Sequence, residues 1–160
     1  MKKILLLSLL SFIAKPDYTS FGFGVATSGD VDQIGLGFEQ ANSKFVFTTT
    51  AGRAEVFDIS FGTYGVSLDY AFGNFNEGSF YTGVSYSRVA IGDEAVSDTY
   101  LNVGYGKVSG EGLDYNFDID SEGNFSTGIT QWTADGLGIG AGVAFTENDE
   151  LVSLSLQYKW

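Results

Sequence analysis

From residue 17 onward, apolar residues occupy every second position in one segment after another, and this alternation limits the possible fold more than any other feature. The last ten residues, LVSLSLQYKW, place one apolar row on a single face of an extended strand: Val152, Leu154, Leu156, Tyr158 and Trp160. Successive side chains of a strand point to opposite faces of the sheet. Such a row must therefore be covered along its whole length, either by a protein core or by lipid.

Ten segments carry this pattern, and short stretches rich in Gly, Asn, Asp, Ser and Glu separate them. These residues favour turns, because they accept positive φ or hydrogen-bond to the nearby backbone. The predicted strands are 18–26, 33–40, 44–51, 56–72, 79–91, 97–108, 112–119, 125–133, 136–145 and 150–160. The pattern predicts an all-β fold, an up-and-down antiparallel barrel of about ten strands, with eight strands as the alternative.

Glycine occupies the face opposite to the apolar rows. The chain has 22 glycines, and most of those in the predicted strands alternate with apolar residues. A soluble exterior carries many lysines and glutamates, whereas this face offers Gly, Ser, Thr, Asn and a few carboxylates. Ten rows rich in Phe, Tyr and Leu also exceed the space inside a small barrel. We therefore predict that the rows face lipid. A secreted or periplasmic soluble β-barrel or β-sandwich binding protein is the alternative.

The first fourteen residues, MKKILLLSLLSFIA, have a different character. Two lysines precede an apolar run from Ile4 to Ala14. This run is too short to cross a bilayer as a helix, which takes about 20 residues, but it suits the apolar segment of a secretory signal. We predict a signal peptide at 1–14, cleaved after Ala14, and one barrel domain at 15–160. An interfacial anchor helix is the alternative.

With an export signal before it, the strand pattern resembles the small outer-membrane barrels of Gram-negative bacteria, the OmpA- and OmpX-like porin superfamily. The resemblance is carried by the signal, by GLGIGAGVAFTENDELVSL and by the terminal YKW. It implies an outer-membrane location, a monomer, contact with membrane lipid and lipopolysaccharide, and periplasmic chaperones and the barrel-assembly machinery as partners during biogenesis. In such proteins the last strand acts as an assembly signal, which corresponds here to Leu154, Leu156, Tyr158 and Trp160.

The composition argues against several classes of function. The net charge of −12 opposes nucleic-acid binding, because a phosphate backbone requires a basic surface. The chain has no histidine, so serines such as Ser85 and Ser87 lack the usual catalytic base. The acidic stretch 118–124 starts like a calcium loop, but the twelfth position is Ile129 instead of a bidentate glutamate. We predict a solvated acidic turn there, and no enzyme activity, metal or cofactor.

Four carboxylates share the glycine face and are the candidate lumen residues: Glu39, Asp69, Asp114 and Asp118. A water-filled lumen lined by them would favour cations, which predicts a narrow cation-leaning pore. A lumen filled by side chains would indicate a structural or surface role instead. A filled lumen would then have to protonate the carboxylates or supply cations. The residues best suited to fill it are Tyr81, Tyr100 and Trp132.

An even number of strands places both termini in the periplasm and assigns the connections. The predicted extracellular loops are 27–32, 52–56, 92–97, 120–124 and 146–149, and the predicted periplasmic turns are 41–43, 73–78, 109–111 and 134–135. Arg88 falls on the apolar face near the extracellular end, and Arg53 falls in a neighbouring loop. Guanidinium groups at this height reach lipid phosphates. The alternative is that Arg88 extends to water or pairs with Asp93 or Glu94.

One irregularity interrupts the alternation. The apolar row changes parity near Gly62 and Thr63. A β-bulge would keep one continuous lipid-facing row across this point, and a loop ending at Gly62 is the alternative.

Overall fold

The computed structural model describes residues 16–29, 31–56, 59–147 and 149–160, and the predicted signal peptide lies outside them. The strands are β1 (Tyr18–Ser28), β2 (Val31–Ala41), β3 (Phe45–Val56), β4 (Ile59–Ala71), β5 (Ser79–Ile91), β6 (Glu94–Lys107), β7 (Leu113–Asp120), β8 (Phe125–Trp132), β9 (Leu137–Phe145) and β10 (Glu150–Lys159). A 3-10 turn at Phe75–Glu77 joins β4 to β5. Within the described residues, no helix is long and apolar enough to cross a membrane.

Every strand pairs antiparallel with its neighbours in sequence, and β1 pairs with β10, so the sheet closes into a barrel of ten strands. The seam runs from Ser20 opposite Lys159 to Thr27 opposite Val152. Beyond it, the Trp160 amide donates a hydrogen bond to the Thr19 carbonyl at 3.0 Å. The predicted all-β barrel of ten strands is confirmed, and the eight-strand alternative is wrong.

The two faces of the sheet divide the side chains as the alternation predicts. Large apolar side chains such as Phe23, Leu36, Leu101, Ile139 and Leu154 lie exposed on the outside of the barrel. A soluble protein avoids contiguous exposed apolar surface of this extent. The closed barrel with its outward apolar rows therefore excludes the β-sandwich and the soluble barrel with an apolar interior.

The structure contains no bulge at the parity change. The register between β3 and β4 runs without interruption from Phe45 opposite Tyr70 to Val56 opposite Ile59. The register between β4 and β5 begins at Gly62, opposite Ala90, and is continuous from there to Ala71 opposite Tyr81. Both the predicted bulge and the alternative loop are therefore wrong. Because side chains alternate along an unbroken strand, the segment of β4 before Gly62 turns its apolar residues into the barrel.

Several strands also extend further than the sequence predicts. β5 ends at Ile91 and β6 begins at Glu94, so a two-residue turn replaces the predicted loop 92–97. Gly92 has φ 58°, which suits the tight hairpin turns that match strand twist. In the same way β3 runs to Val56, so Arg53 lies within a strand and not in a loop.

The two ends of the barrel are named by their connections. The terminal end holds both chain ends and the connections 42–44, 72–78, 108–112 and 133–136. The opposite end, which we call the distal end, holds the five short connections between β1 and β2, β3 and β4, β5 and β6, β7 and β8, and β9 and β10.

Candidate functional site

A cluster of buried side chains fills the barrel at its terminal end. Its aromatic members, Tyr18, Phe75, Tyr81 and Trp132, each expose 6% or less of their surface. The rings of Tyr18 and Trp132 meet edge to face at 5.9 Å, and those of Phe75 and Tyr81 lie 5.5 Å apart. The remaining members are Ala41, Val46 and Ala71, with Val108 packed against them. We call this set the floor cluster.

Phe75 reaches the floor cluster because connection 72–78 folds under the barrel. The Asn74 side chain caps the 3-10 turn by accepting a hydrogen bond from the Asn76 amide at 2.9 Å. The Phe75 amide donates to the Ser43 carbonyl at 2.9 Å, and its carbonyl accepts from the Val108 amide at 3.0 Å. The Phe75 backbone is therefore tied to both neighbouring terminal-end connections.

Two lysines also hold the terminal end together. The Lys44 ammonium donates to the Gly73 carbonyl, and the Lys159 ammonium donates to the Gly110 carbonyl. The Lys159 ammonium also lies 5.7 Å from the centre of the Trp132 ring, within the range of a cation–π contact. Both cations therefore stabilise connections beneath the floor cluster.

Glycines on the inner face and in connection 108–112 make room for these rings. A Cβ atom on Gly138 would lie 2.8 Å from the ring of Trp132, and one on Gly110 would lie 2.8 Å from the ring of Tyr18. Both distances are shorter than carbon atoms tolerate. At these positions the space left by glycine is therefore occupied by an aromatic ring and does not widen a channel.

Asp114 is the most heavily hydrogen-bonded of the candidate lumen residues. Its Oδ1 accepts from the amide and hydroxyl of Ser109 at 2.9 and 2.7 Å. Its Oδ2 accepts from the Gly110 amide and from Nε1 of Trp132, both at 2.8 Å. This one buried carboxylate thus joins connection 108–112 to the floor cluster.

Asp118 lies further from the terminal end. It accepts hydrogen bonds from Tyr81, Asn116 and Ser126 at 3.2, 2.9 and 2.9 Å.

Asp69 and Glu39 are satisfied in the same way. Asp69 accepts from Nδ2 of Asn102 at 2.7 Å, and Glu39 accepts from the Tyr18 hydroxyl. All four candidate carboxylates face the lumen, and the donors that contact them are neutral. The expectation that a filled lumen must protonate them or supply cations therefore overlooked neutral donors.

Space remains inside the barrel beyond the floor cluster. One cavity of about 340 Å³ lies along β1 to β3 and β10, where Gly22, Gly35 and Gly37 leave the wall bare. A second, of about 310 Å³, lies beside Asp114 and Asn116. A third, of about 270 Å³, lies between Asp69 and Asp118. The lumen is therefore packed with side chains at the terminal end and only partly filled beyond it.

The two candidate phosphate contacts lie on the outer surface near the distal end. Arg53 on β3 is opposite Gly62, and Arg88 on β5 is opposite Tyr64. Nη2 of Arg53 donates to the Ser60 hydroxyl and lies 3.9 Å from Oε2 of Glu55. This is the one ion pair within the described residues, so the predicted alternative, pairing of Arg88 with Asp93 or Glu94, is not formed.

The row named as the assembly signal lies on the outside of β10. Leu154, Leu156 and Tyr158 alternate with inward Ser153, Ser155 and Gln157. The row ends on Trp160 and borders the seam with β1. These side chains are exposed to the surroundings of the barrel.

The acidic stretch after β7 forms a turn. Asp120 Oδ1 accepts hydrogen bonds from the amides of Glu122 and Asn124 at 2.9 and 3.0 Å. The carboxylate therefore stabilises the turn itself, and Asp118 points away into the lumen.

No protein-family model matches the chain, and no curated protein matches it either. Solved structures do match. The KdgM porin, solved in complex with disordered oligogalacturonate, aligns with a TM-score of 0.50 at 10% identity over 87% of this chain and 98% of that one. The N-terminal β-barrel domain of Pseudomonas aeruginosa OprF aligns with a TM-score of 0.46 at 10% identity, over 91% and 98%.

The outer membrane protein AlkL, solved in lipid bilayers, aligns with a TM-score of 0.44 at 16% identity, over 91% of this chain and 90% of that one. None of the three is described as an enzyme. By its closed ten-strand barrel and its likeness to the porin, the chain has the fold of the outer-membrane β-barrels.

Proposed function

We propose that this protein is an integral outer-membrane protein of a Gram-negative bacterium that acts through its surface, with its barrel closed at the periplasmic end. The observation that carries this proposal is the floor cluster. Its four aromatic rings are buried, and they are held by connections 72–78 and 108–112. Ordering these connections inside the barrel costs conformational entropy, and a permanently open pore would not require them to be ordered there. The closed floor therefore supports a structural or surface role.

A narrow cation-leaning pore is the second candidate. The cavities beyond the floor cluster and the four lumen carboxylates favour it. In that case the floor cluster must move aside, and the carboxylates must act as an acidic lining.

Replacement of Asp114 by Asn separates the two candidates, because they predict opposite changes in current. We expect planar bilayers that contain the folded wild-type protein to be silent. With a closed floor, Asp114→Asn weakens the hydrogen bonds to Ser109, Gly110 and Trp132, so current begins. In an acid-lined pore, the loss of a negative charge lowers an existing cation current.

The matched control is Asp135→Asn, which removes the same charge from an exposed residue in connection 133–136. It should leave the bilayer silent. Wild-type cation current that falls in Asp114→Asn and not in Asp135→Asn would overturn the closed floor and establish the pore.

We further propose that the outer surface near the distal end contacts lipopolysaccharide phosphates. Tyr64 and Tyr86 end the outward apolar rows of β4 and β5, a position typical of aromatic residues at a membrane interface. Arg88 lies beside both, is exposed, and has no ion pair in the described structure. A guanidinium without an ion pair at this height suits a phosphate group. Arg53 supplies a second guanidinium, which is partly paired with Glu55.

Arg88→Ala should reduce the affinity of the folded protein for lipopolysaccharide vesicles by about tenfold, since charge-assisted hydrogen bonds contribute about 1.5–3 kcal/mol. Arg53→Ala should have a smaller effect, because Glu55 and Ser60 already occupy its guanidinium. Lys107→Ala, which removes a cation from β6 at the terminal end, is the control. Equal binding by wild type and Arg88→Ala would reject the contact.

A further inference from the structure

The barrel carries a second apolar surface, and this one faces inward. On β4, Asp69 faces the lumen, so every second residue before it, down to Phe61 and Ile59, shares that face. The pairs Thr63 with Val89 and Val89 with Val96 extend the same face across β5 and β6. The resulting surface, which we call the distal inner face, consists of Val56, Ile59, Phe61, Val89, Ile91 and Val96.

This surface lies beyond the lipid-facing band. The outward residues at the same height are polar or small, among them Arg53, Ser60, Arg88 and Ser97. The sheet is therefore inverted at the distal end, with its apolar side toward the barrel axis. Contact with lipid does not explain that arrangement.

The opposite wall does not cover the distal inner face. Strands β3 to β6 have 12 to 14 residues, whereas β7 to β10 have 8 to 10. Residues 94–101 of β6 extend beyond its last pair with β7, which joins Asn102 to Asp120. As a result Val96 is 68% exposed, and Ile59, Val89 and Ile91 are exposed as well. Exposed apolar patches of this kind mark binding surfaces.

The distal inner face also carries two negatively charged side chains. Glu94 and Asp98 lie on β6 on either side of Val96 and point inward with it, opposite Ile91 and Ser87. Both are exposed, and neither forms an ion pair with a described residue. The nearest basic side chains, Arg53 and Arg88, are on the outside of the barrel.

We infer that the distal inner face binds amphipathic cations, molecules that combine an apolar body with a positive charge. The apolar body would cover Ile59, Ile91 and Val96, and its charge would meet Glu94 and Asp98. An anion of the same shape is repelled by those carboxylates. The binding surface lies beyond the lumen cavities, so it does not depend on whether the lumen conducts.

Tetraphenylphosphonium is a suitable probe, because tetraphenylborate has the same shape and the opposite charge. Titration calorimetry on the folded full-length protein in zwitterionic nanodiscs, with empty nanodiscs as the reference, removes the contribution of lipid partitioning. We expect saturable binding of the cation and none of the anion. Absence of saturable cation binding, or equal binding of both ions, overturns the inference.

Two double variants test the apolar residues and the acidic residues of the surface separately. Ile59→Ser with Val96→Ser should weaken cation binding by about tenfold, through lost apolar contact. Glu94→Gln with Asp98→Asn should weaken it by a similar factor and should lessen the discrimination against tetraphenylborate. Glu147→Gln, which removes one exposed charge from the connection between β9 and β10, is the control and should bind like the wild type.

Each variant is first checked for heat-modifiable migration, which reports a closed barrel. A folded Ile59→Ser, Val96→Ser protein that binds the cation as tightly as the wild type overturns the assignment of the surface. A Glu147→Gln variant as weak as the Glu94→Gln, Asp98→Asn variant shows that only overall charge matters, and it overturns the assignment as well.

Discussion

Replacing Tyr158 and Trp160 together with Ser should strongly reduce the amount of folded barrel in the outer membrane. The two side chains expose 56% and 67% of their surface on the outside of the barrel. Removing each from lipid costs on the order of 1–2 kcal/mol. The change also alters the row Leu154, Leu156, Tyr158 and Trp160, which we propose is the row that the barrel-assembly machinery reads. Heat-modifiable migration of the outer-membrane fraction measures the folded amount.

Phe80→Ser is the matched control for this variant. Phe80 is the second residue of β5, lies at the same end of the barrel and is 69% exposed, so its replacement removes aromatic contact with lipid without changing the terminal strand. We expect it to lower stability and leave delivery to the membrane intact. If Phe80→Ser and the double variant reduce the folded amount equally, the terminal row has no special role in assembly.

The barrel itself follows from local pattern. Alternation along each segment, turn residues between segments and glycine on one face predict ten antiparallel strands and their outward faces, because each of these signals depends on neighbours in sequence. The inward aromatic residues Tyr81 and Trp132 follow from the same alternation. Both belong to the floor cluster, whereas Tyr100, the third residue predicted to fill the lumen, does not.

The packing of the floor cluster around Phe75 could not be predicted in this way. Phe75 lies in a predicted periplasmic turn, where alternation says nothing about direction. Its burial depends on hydrogen bonds to Ser43 and Val108, which lie in distant parts of the sequence. The one available signal was an apolar Phe between two Asn residues in a polar turn. The partners of Asp114 could not be predicted either, because Ser109 and Gly110 lie in a connection, where alternation says nothing about direction.

At Gly62 the apolar row changes from one face of the strand to the other, and here a correct local signal led to a wrong prediction. The assumption that the apolar row must stay on the lipid side required a bulge. Backbone pairing of β4 with β3 runs through Gly62 without interruption instead, because a continuous ladder satisfies the backbone groups that take part in it. The apolar residues of β4 before Gly62 therefore face the inside of the barrel, where they form part of the distal inner face.

Phe75→Ala should lower the free energy of unfolding by about 3–5 kcal/mol, the usual cost of removing a buried phenylalanine from a packed core. Phe75 is 1% exposed and contacts Tyr81 in the floor cluster. The vacated space also allows water to reach Trp132, so its fluorescence should shift to the red. Urea unfolding in lipid vesicles measures the first effect, and planar bilayers should show current where the wild type shows none.

Phe72→Ala is the natural control, because Phe72 belongs to the same connection but is 66% exposed. It should cost about 1 kcal/mol, through its edge contact with Tyr70, and leave the bilayer silent. A Phe75→Ala protein that is less stable but still silent would mean that the remaining rings close the lumen without Phe75. A protein that is neither less stable nor conducting would contradict the buried position of Phe75. Loss of stability together with a new current connects the folding of connection 72–78 directly to the closed state of the barrel.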